Sequence, residues 1–329
     1  MKETLEKLYQ HKRLSRSESK LLLINIAKNS YNEAELTSFL TVFMMRPITV
    51  EELSGFREAL LELAIKVDLS EFNAIDIVGT GGDGKDTFNI STLTSFVVAG
   101  TGQKVTKHGN YSVSSSSGSS DMLERFGYSF TNDVAILKSQ LDKANICFLH
   151  APKFHPAMKA VGPVRKALKL KTFFNILGPL VNPSMPKNQL LGTFNLEVAR
   201  LYHYILEEED SNFGIVHALD GYDEISLTSS FKLFTKHGEQ LISPEDLQME
   251  TIKQNAIYGG NSVDEAAKIF SKIIHGDGTK EQNNVVLTNA AYALMVVDNA
   301  LSFSDAFAKA KDSLLGGKAK ECLNMLILN

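Results

Sequence analysis

The chain has 329 residues, 43% of them hydrophobic, and a formal net charge of −4 at pH 7. This length and apolar content predict a large hydrophobic core divided between two lobes. Lys and Arg are spread along the chain, whereas sequence-independent binding of nucleic acid needs a concentrated basic face. We therefore expect no nucleic-acid partner.

The two cysteines, Cys147 and Cys322, are far apart in the chain, which excludes a disulfide framework and a paired-thiol zinc site. No apolar run approaches the roughly 18 residues of a membrane span. The first residues, "MKETLEKLYQHKR", lack the apolar segment of a signal peptide. These features predict a cytoplasmic protein with no membrane partner.

Residues 1–72 are predicted to form a helical domain, which part of 155–185 joins. Its helices begin at capping boxes, in which a polar residue is followed three positions later by an acid. The boxes are Ser15 with Glu18, Asn32 with Glu35, and Thr49 with Glu52. Apolar stretches such as "FLTVFMM" exceed what four short helices could bury alone. We expect some of these side chains to face another lobe or another subunit.

Residues 73–329 are predicted to form an α/β domain with a mostly parallel sheet, because short apolar strands alternate with helices. The strands are "AIDIV" (74–78), "KVTK" (104–107), "ICFL" (146–149) and "FGIVHAL" (213–219). A hairpin is expected to turn at His237-Gly238. Closing helices are expected over about 262–274, 288–300 and 304–314.

The stretch "DIVGTGGDGKDTFNIST" follows the first strand and fits two phosphate-binding patterns in part. A dinucleotide-binding loop needs an acid about 20 residues on, at the end of the second strand, but that strand ends at Lys107 and His108. A P-loop needs Ser or Thr after its lysine, and Asp86 follows Lys85. The helix is expected to begin later, near Ser91. A tight strand-to-helix turn stays open as an alternative.

A second polar loop, "KHGNYSVSSSSGSSD" (107–121), also follows a strand and ends at a helix N-terminus near Ser119. Two loops rich in hydroxyl and amide groups at neighbouring strand ends would form one crevice at the carboxyl edge of the sheet. Helix N-termini there would favour anions. The crevice suits a ligand with phosphates at both ends.

These blocks, together with "HPAMKAVGPVRKALKLKTFFNILGPLVNP" (155–183) and "LDGYDEIS" (219–226), resemble those of the anthranilate phosphoribosyltransferases. The resemblance runs from the first helix to the last, and the tail "GGKAKECL" fits the family's usual ending. It implies a nucleoside-phosphorylase-like fold and a homodimer joined through the helical lobe. It also implies the substrates phosphoribosyl pyrophosphate (PRPP) and anthranilate, with Mg²⁺ as cofactor.

The resemblance assigns residues to each ligand. For PRPP it implies Gly79, Gly82, Asp83, Thr87, Asn89, Ile90, Ser91, Thr92, Lys107, Asn110, Ser115 and Ser119. For anthranilate it implies Gly79, His108, Asn110, His155, Arg165 and Pro179. For Mg²⁺ it implies Ser91, Asp223 and Glu224, and for catalysis Lys107, His108, Asp223 and Glu224.

The residues agree with the implied chemistry, in which an aromatic amine displaces pyrophosphate. Such catalysis consists mainly of stabilising the pyrophosphate and positioning the acceptor. A guanidinium fork at Arg165 would hold the acceptor's carboxylate, although a surface arginine is the alternative. Asp223 and Glu224 could converge on magnesium from a turn, although a solvated acidic turn is the alternative. His108 could accept the amine's proton, as could water or pyrophosphate.

Two other functions stay open from the sequence. A pyrimidine nucleoside phosphorylase of the same fold would bind plain phosphate without magnesium, and a non-catalytic relative of the fold would bind nucleic acid. The sequence also departs from the resembled family, which has arginine where this chain has Tyr111. If that position faces the ligand, Tyr111→Arg should tighten PRPP binding. If the ring packs against the helix at Met122, it should not.

Overall fold

Four helices begin the chain, and strands alternating with helices follow, in a computed structural model that describes residues 1–112 and 117–328. The chain divides into a helical unit, Met1–Lys66 with Ala151–Pro183, and an α/β unit, Val67–His150 with Ser184–Asn329. The boundary drawn from the sequence at residue 72 therefore lies inside the second unit.

The elements are numbered in chain order. The first helices and strands are α1 (Lys2–Tyr9), α2 (Arg16–Ala27), α3 (Glu33–Met45), α4 (Val50–Leu63), β1 (Ile75–Gly79), α5 (Ile90–Gly100), β2 (Val105–Gly109), α6 (Ser119–Arg125), α7 (Val134–Ala144) and β3 (Ile146–His150). The middle ones are α8 (Ala151–Phe154), α9 (Gly162–Leu168), α10 (Phe174–Leu177), β4 (Asn188–Gly192), α11 (Leu196–Glu207), β5 (Asn212–Ala218), β6 (Phe231–Thr235) and β7 (Gly238–Ile242). The last are α12 (Val263–Ile274), α13 (Lys280–Val297), α14 (Phe303–Leu315) and α15 (Lys318–Ile327).

The helical unit is held together by its aromatic side chains. Phe39 and Phe56 on α3 and α4 are fully buried. Phe173, from the second segment of the unit, stacks on Phe56 with ring centroids 4.6 Å apart and meets Phe39 edge-on at 5.8 Å. These rings join the two segments of chain into one core. The capping boxes predicted at the starts of α2, α3 and α4 are all present.

The α/β unit is built on one sheet. Within the described residues its seven strands lie in the order β3-β2-β1-β4-β5-β6-β7. The first five in this order are parallel, and β6 and β7 add as an antiparallel hairpin at one edge. The predicted α/β class, mostly parallel sheet and hairpin are confirmed. Strand β4, which lies between β1 and β5, was not predicted from the sequence.

Two predicted helix starts need correction. The first helix after β1, α5, begins at Ile90 with Asn89 as its N-cap, so Ser91 lies inside the helix. The second, α13, begins at Lys280, well before the expected 288, because Thr279 and Gln282 form a capping box. Helix α5 is buried along most of its length and packs with α13 in the main core.

Among the described residues, no helix is both long enough and apolar enough to cross a lipid bilayer.

Candidate active site

In the loop between β1 and α5, residues 80–89, glycines occupy a backbone conformation that other residues disfavour. Gly81, Gly82 and Gly84 have φ angles of 63°, 74° and 74°, a left-handed region that side chains disfavour. Asp86 shares this region with a φ of 48°. Repeated left-handed residues make a concave turn of backbone N–H groups possible, which is an arrangement that binds anions.

A distant segment supports this loop. Thr87 forms an isolated antiparallel bridge with Tyr258, and the N–H of Gly259 donates to the carbonyl of Asp86 at 2.8 Å. No sequence pattern indicated this contact. It fixes the second half of the loop where the chain turns into α5.

The residues predicted to bind PRPP follow the carboxyl ends of β1 and β2. Gly79 ends β1; Gly82, Asp83 and Thr87 lie in the loop; Asn89, Ile90, Ser91 and Thr92 begin α5; Lys107 lies in β2, Asn110 follows it, and Ser119 begins α6. The Asn89 amide donates to the carbonyl of Ser117 at 3.0 Å and so ties the two polar loops together. Ser115 lies outside the described residues.

Lys107 is a buried cation beneath the glycine-rich loop. Its side chain is 2% exposed, and its Nζ donates to the carbonyl of Ile77 at 2.7 Å and lies 3.4 Å from Ser91 Oγ. Burial lowers the pKa of Lys107 to about 8, while the negative charges of Asp76 and Glu224 oppose that shift. The ammonium therefore keeps its proton at neutral pH and contributes positive charge to the site.

Asp76 is a functional candidate that the sequence analysis missed. It lies in β1, is fully buried, and accepts the backbone N–H of His108 at 3.0 Å. Its carboxylate also favours the charged form of Lys107. The His108 side chain is 3% exposed at the end of β2. Asp76 thus holds the backbone of His108 and favours the charged form of Lys107.

Three acids converge beside the loop, and we call Asp83, Asp223 and Glu224 the acid cluster. One carboxylate oxygen from each lies within 4.8 Å of the other two. Asp223 Oδ2 accepts the N–H of Gly81 at 2.6 Å. The sequence analysis assigned Asp223 and Glu224 to magnesium but placed Asp83 with PRPP, and the geometry adds it to the pair.

Two glycines make room for Asp223. Gly79 and Gly192 are paired at the ends of the parallel strands β1 and β4. A Cβ on Gly79 would lie 2.4 Å from Asp223 Oδ2, and a Cβ on Gly192 would lie 1.5 Å from the carbonyl oxygen of Asp223. Any side chain at either position would displace the acidic turn.

Asn289 on α13 holds the other end of that turn. Its side-chain oxygen accepts the N–H of Ile225 at 3.1 Å, and its amide nitrogen donates to the carbonyl of Ile225 at 2.8 Å. Asn289 is 3% exposed. This double hydrogen bond mimics strand pairing and fixes the backbone directly after Glu224, which no sequence signal indicated.

The acid cluster has strongly perturbed pKa values. Burial and then the negative charge of Asp83 raise the pKa of Asp223 to about 6. Burial and then the charge of Asp223 raise the pKa of Glu224 well above its ordinary value. Burial also raises the pKa of Asp83. The three carboxyl groups therefore repel one another when all are ionised.

The acid cluster fits a divalent cation. Asp83 Oδ2 and Glu224 Oε2 are buried and, within the described part of the chain, have no hydrogen-bond partner. Hard oxygen ligands in a small number are what Mg²⁺ takes from a protein when substrate phosphates complete its shell. Asp83, Asp223 and Glu224 could hold the ion.

The remaining predicted anthranilate residues lie in the helical unit. His155 is 4% exposed, and burial lowers its pKa to about 4. The Arg165 guanidinium lies 5.4 Å from the centroid of the Phe174 ring, and burial lowers its pKa. Pro179 is buried. Arg165 is therefore half-buried on an aromatic face, unlike the exposed Lys166 beside it.

Tyr111 packs against the histidine that ends β3. Its ring meets His150 and Phe130 edge-on, and its hydroxyl lies 3.4 Å from Glu124. Of the two alternatives for this position, the packed one is supported, with these partners in place of Met122. The effect of Tyr111→Arg on PRPP binding stays a prediction.

Comparison with known proteins agrees with this geometry. Residues 71–320 match the family model of the glycosyl transferase family, a/b domain, and residues 2–64 match the helical bundle domain of the same family. The anthranilate phosphoribosyltransferase of Flavobacterium johnsoniae is 57% identical, covering 99% of this chain and 98% of the relative. That of Cytophaga hutchinsonii is 52% identical, covering 99% and 100%.

Solved structures give the same result. Anthranilate phosphoribosyltransferase from Thermus thermophilus superposes with a TM-score of 0.91 at 28% identity, covering 98% of each chain. The enzyme from Saccharomyces cerevisiae in complex with PRPP and Mg has a TM-score of 0.89 at 27% identity, covering 98% of this chain and 95% of that one. Sequence and fold agree along the full length, and the chain belongs to the anthranilate phosphoribosyltransferase family.

Proposed function

We propose that the protein transfers the phosphoribosyl group of PRPP to the amine of anthranilate, giving N-(5-phosphoribosyl)anthranilate and pyrophosphate in tryptophan biosynthesis. The observation that carries this proposal is the acid cluster beside the glycine-rich loop, in a chain of this family. Carboxyl groups with perturbed pKa values and oxygens unpartnered among the described residues, such as Asp83 Oδ2 and Glu224 Oε2, are expected where a substrate or cation completes the site. Membership in the family supplies the reaction.

PRPP binds along the carboxyl ends of β1 and β2. The glycine-rich loop and the first turn of α5 offer backbone N–H groups and the hydroxyls of Ser91 and Thr92 to its phosphates. Lys107 adds a fixed positive charge beneath them. Asn110 and Ser119 come from the second loop. The S. cerevisiae relative that binds PRPP supports this role for the shared fold.

Asp223, Glu224 and Asp83 hold Mg²⁺, with Ser91 as a further oxygen ligand. When bound, the ion neutralises charge that develops on the departing pyrophosphate. The raised pKa values of the acids fit this role, because a nearby cation would return them to their ionised form. Gly81 and Asn289 keep the acidic turn in position for it.

Anthranilate binds with its carboxylate on Arg165. A planar guanidinium can hold a carboxylate with two parallel hydrogen bonds, and contact with Phe174 orients that plane. His155 and Pro179 supply buried surface for the acceptor in the helical unit. The resemblance also assigns Gly79, His108 and Asn110 to anthranilate, with His108 as a candidate acceptor of the amine's proton. The S. cerevisiae relative in complex with 4-fluoroanthranilate supports the acceptor class.

The protein acts as a homodimer in the cytoplasm, joined through its helical unit. Tyr9, Leu21 and Met45 in that unit are 57%, 59% and 83% exposed, and these apolar side chains support an interface there. A self-complementary contact would cover them.

A direct assay tests the function. Purified protein is mixed with PRPP, Mg²⁺ and anthranilate, and the decay of anthranilate fluorescence is followed, with EDTA as the control. The proposal expects decay that EDTA abolishes. Folded protein that leaves anthranilate unchanged, or that instead splits uridine with phosphate, would contradict it and favour a nucleoside phosphorylase.

A further inference from the structure

The histidine that ends β3 is tied to the start of α6. His150 Nδ1 lies 2.9 Å from Ser120 Oγ, and the two side chains are 5% and 0% exposed, respectively. His150 is also the strand partner of Gly109, the last residue of β2. A buried hydrogen bond between side chains of two elements fixes their relative position. It therefore sets where the N-terminus of α6 lies against the sheet.

Aromatic rings hold the same histidine from its other sides. Phe130 stacks on the imidazole with centroids 4.1 Å apart and planes 13° from parallel. Tyr111 meets the imidazole edge-on at 5.1 Å and 83°. Tyr111 is thereby docked directly after Asn110, and the imidazole is fixed in both position and orientation. We call His150, Ser120, Phe130 and Tyr111 the β3 clamp.

Two residues of the proposed PRPP site adjoin the β3 clamp. The carbonyl of Asn110 accepts the N–H of Ser120 at 3.2 Å and lies 3.4 Å from Ser119 Oγ. Asn110 precedes Tyr111 in sequence, and Ser119 precedes Ser120. Each of these two residues of the proposed PRPP site is therefore adjacent in sequence to a member of the clamp.

We propose that the β3 clamp positions Asn110 and Ser119 for PRPP, with His150 and Ser120 as positioning residues that do not touch the substrate. The proposal rests on the proposed function. The clamp holds Asn110 and Ser119 in place before the ligand arrives. Groups that are ordered before binding lose less entropy when the ligand binds. Loss of the clamp should therefore weaken PRPP binding more than it slows turnover.

Two substitutions remove the central hydrogen bond from opposite sides. His150→Phe keeps a ring for stacking and loses the ring nitrogen that meets Ser120, and Ser120→Ala loses the hydroxyl. We expect the Kd of PRPP with Mg²⁺, measured by calorimetry, to rise about three- to tenfold in each. The double variant should be no weaker than the worse single variant, since both remove one interaction. The kcat should stay within about threefold of wild type.

A partly buried histidine elsewhere controls for lost stability. His203 on α11 pairs with Glu207 at 3.1 Å and meets Phe213 edge-on at 5.7 Å. His203→Phe should lower the unfolding temperature and leave the Kd of PRPP unchanged. At the rim of the clamp, Tyr111→Phe should bind PRPP like wild type, and Tyr111→Ala should bind it about threefold more weakly, because the ring makes the contact.

The outcomes separate this inference from the proposed function. If wild type binds PRPP but does not turn over anthranilate, the proposed function is wrong. The clamp is then still tested by the Kd of PRPP. PRPP affinity within twofold of wild type in both single variants, or effects that multiply in the double variant, would overturn the clamp. A fall in kcat at constant Kd would also overturn it. If His150→Phe does not fold, Ser120→Ala decides alone.

Discussion

Glu52 in the helical unit meets a guanidinium, whereas the three acids of the acid cluster in the α/β unit meet one another. Arg46 donates to both oxygens of Glu52, at 2.9 and 2.6 Å, and the backbone N–H groups of Leu14 and Thr49 each donate at 3.0 Å. Burial alone would raise the pKa of Glu52, but these hydrogen bonds lower it below its ordinary value. The acid cluster has the opposite shift.

This contrast separates structural from functional carboxylates. A buried charge whose partners are all supplied by the protein contributes to folding and offers nothing to a ligand. Buried acids with raised pKa values are kept at a cost in stability, which is usual where a site is organised for something that binds later. Burial by itself does not distinguish the two, and the count of hydrogen-bond partners does.

The largest expected effect comes from breaking the satisfied pair. Arg46→Met leaves Glu52 buried without its cation and should lower the free energy of unfolding by about 3 kcal/mol. Denaturant unfolding measures it, and turnover per folded molecule should be unchanged. The exposed pair Lys318–Asp312 is the control, since Lys318→Met should cost less than about 0.5 kcal/mol. Equal losses in the two variants would refute the structural role of Glu52.

Neutralising the acid cluster should instead lower activity without lowering stability. Asp223→Asn with Glu224→Gln keeps the shapes and removes the charges, so kcat/KM for PRPP should fall at least about a hundredfold, or ~2.7 kcal/mol. The unfolding temperature in EDTA should not fall, because mutual repulsion is removed. Turnover within about threefold of wild type would remove these acids from the mechanism.

A buried neutral histidine in the helical unit, His155, should make the stability of the protein depend on pH. Folded His155 stays neutral down to about pH 4, whereas the unfolded chain takes up its proton below about pH 6.5. The unfolded state therefore binds more protons between these values, and stability falls as the pH falls. Relative to His155→Phe, wild type should lose about 2 kcal/mol between pH 7 and pH 5.

Unfolding curves of both proteins at the two pH values measure this difference. His237→Phe, at the exposed turn between β6 and β7, controls for the loss of a histidine. Parallel pH profiles for wild type and His155→Phe would show that His155 does not carry the effect.

Arg165 lies in the helical unit, and we nevertheless expect it to bind a substrate. Arg165→Ala should raise the KM for anthranilate about tenfold and leave the Kd of PRPP within about twofold. Lys166→Ala, the exposed neighbour, is the matched control and should do neither. Loss of PRPP binding with an unchanged KM for anthranilate would move Arg165 to the phosphate site.

Local signals in the sequence predicted local structure well. Capping boxes at Ser15, Asn32 and Thr49 each begin a helix, because the pairing residues are three positions apart. The start of α5 was predicted near Ser91 and lies at Ile90, but its N-cap is Asn89 and not Ser91. The strand β4 was missed because "NQLLG" is short and begins with polar residues.

The site depended on contacts that no local pattern carries. Asp83 joins Asp223 and Glu224 only because β1 and β5 end at the same edge of the sheet, with β4 between them. Asn289 reaches the acidic turn from α13, far along the chain. The resemblance to a family assigned roles to Asp223 and Glu224, whereas the residues that hold them in place required coordinates.

The central claim is that the acid cluster is organised for a cation, and thermal unfolding tests it most directly. Wild type and the variant Asp223→Asn with Glu224→Gln are unfolded with saturating PRPP, in excess Mg²⁺ and in EDTA. A ligand bound only by the folded state raises the midpoint, so Mg²⁺ should raise that of wild type by at least about 2 °C and that of the variant by less than about 0.5 °C. An equal rise in both proteins would contradict the claim.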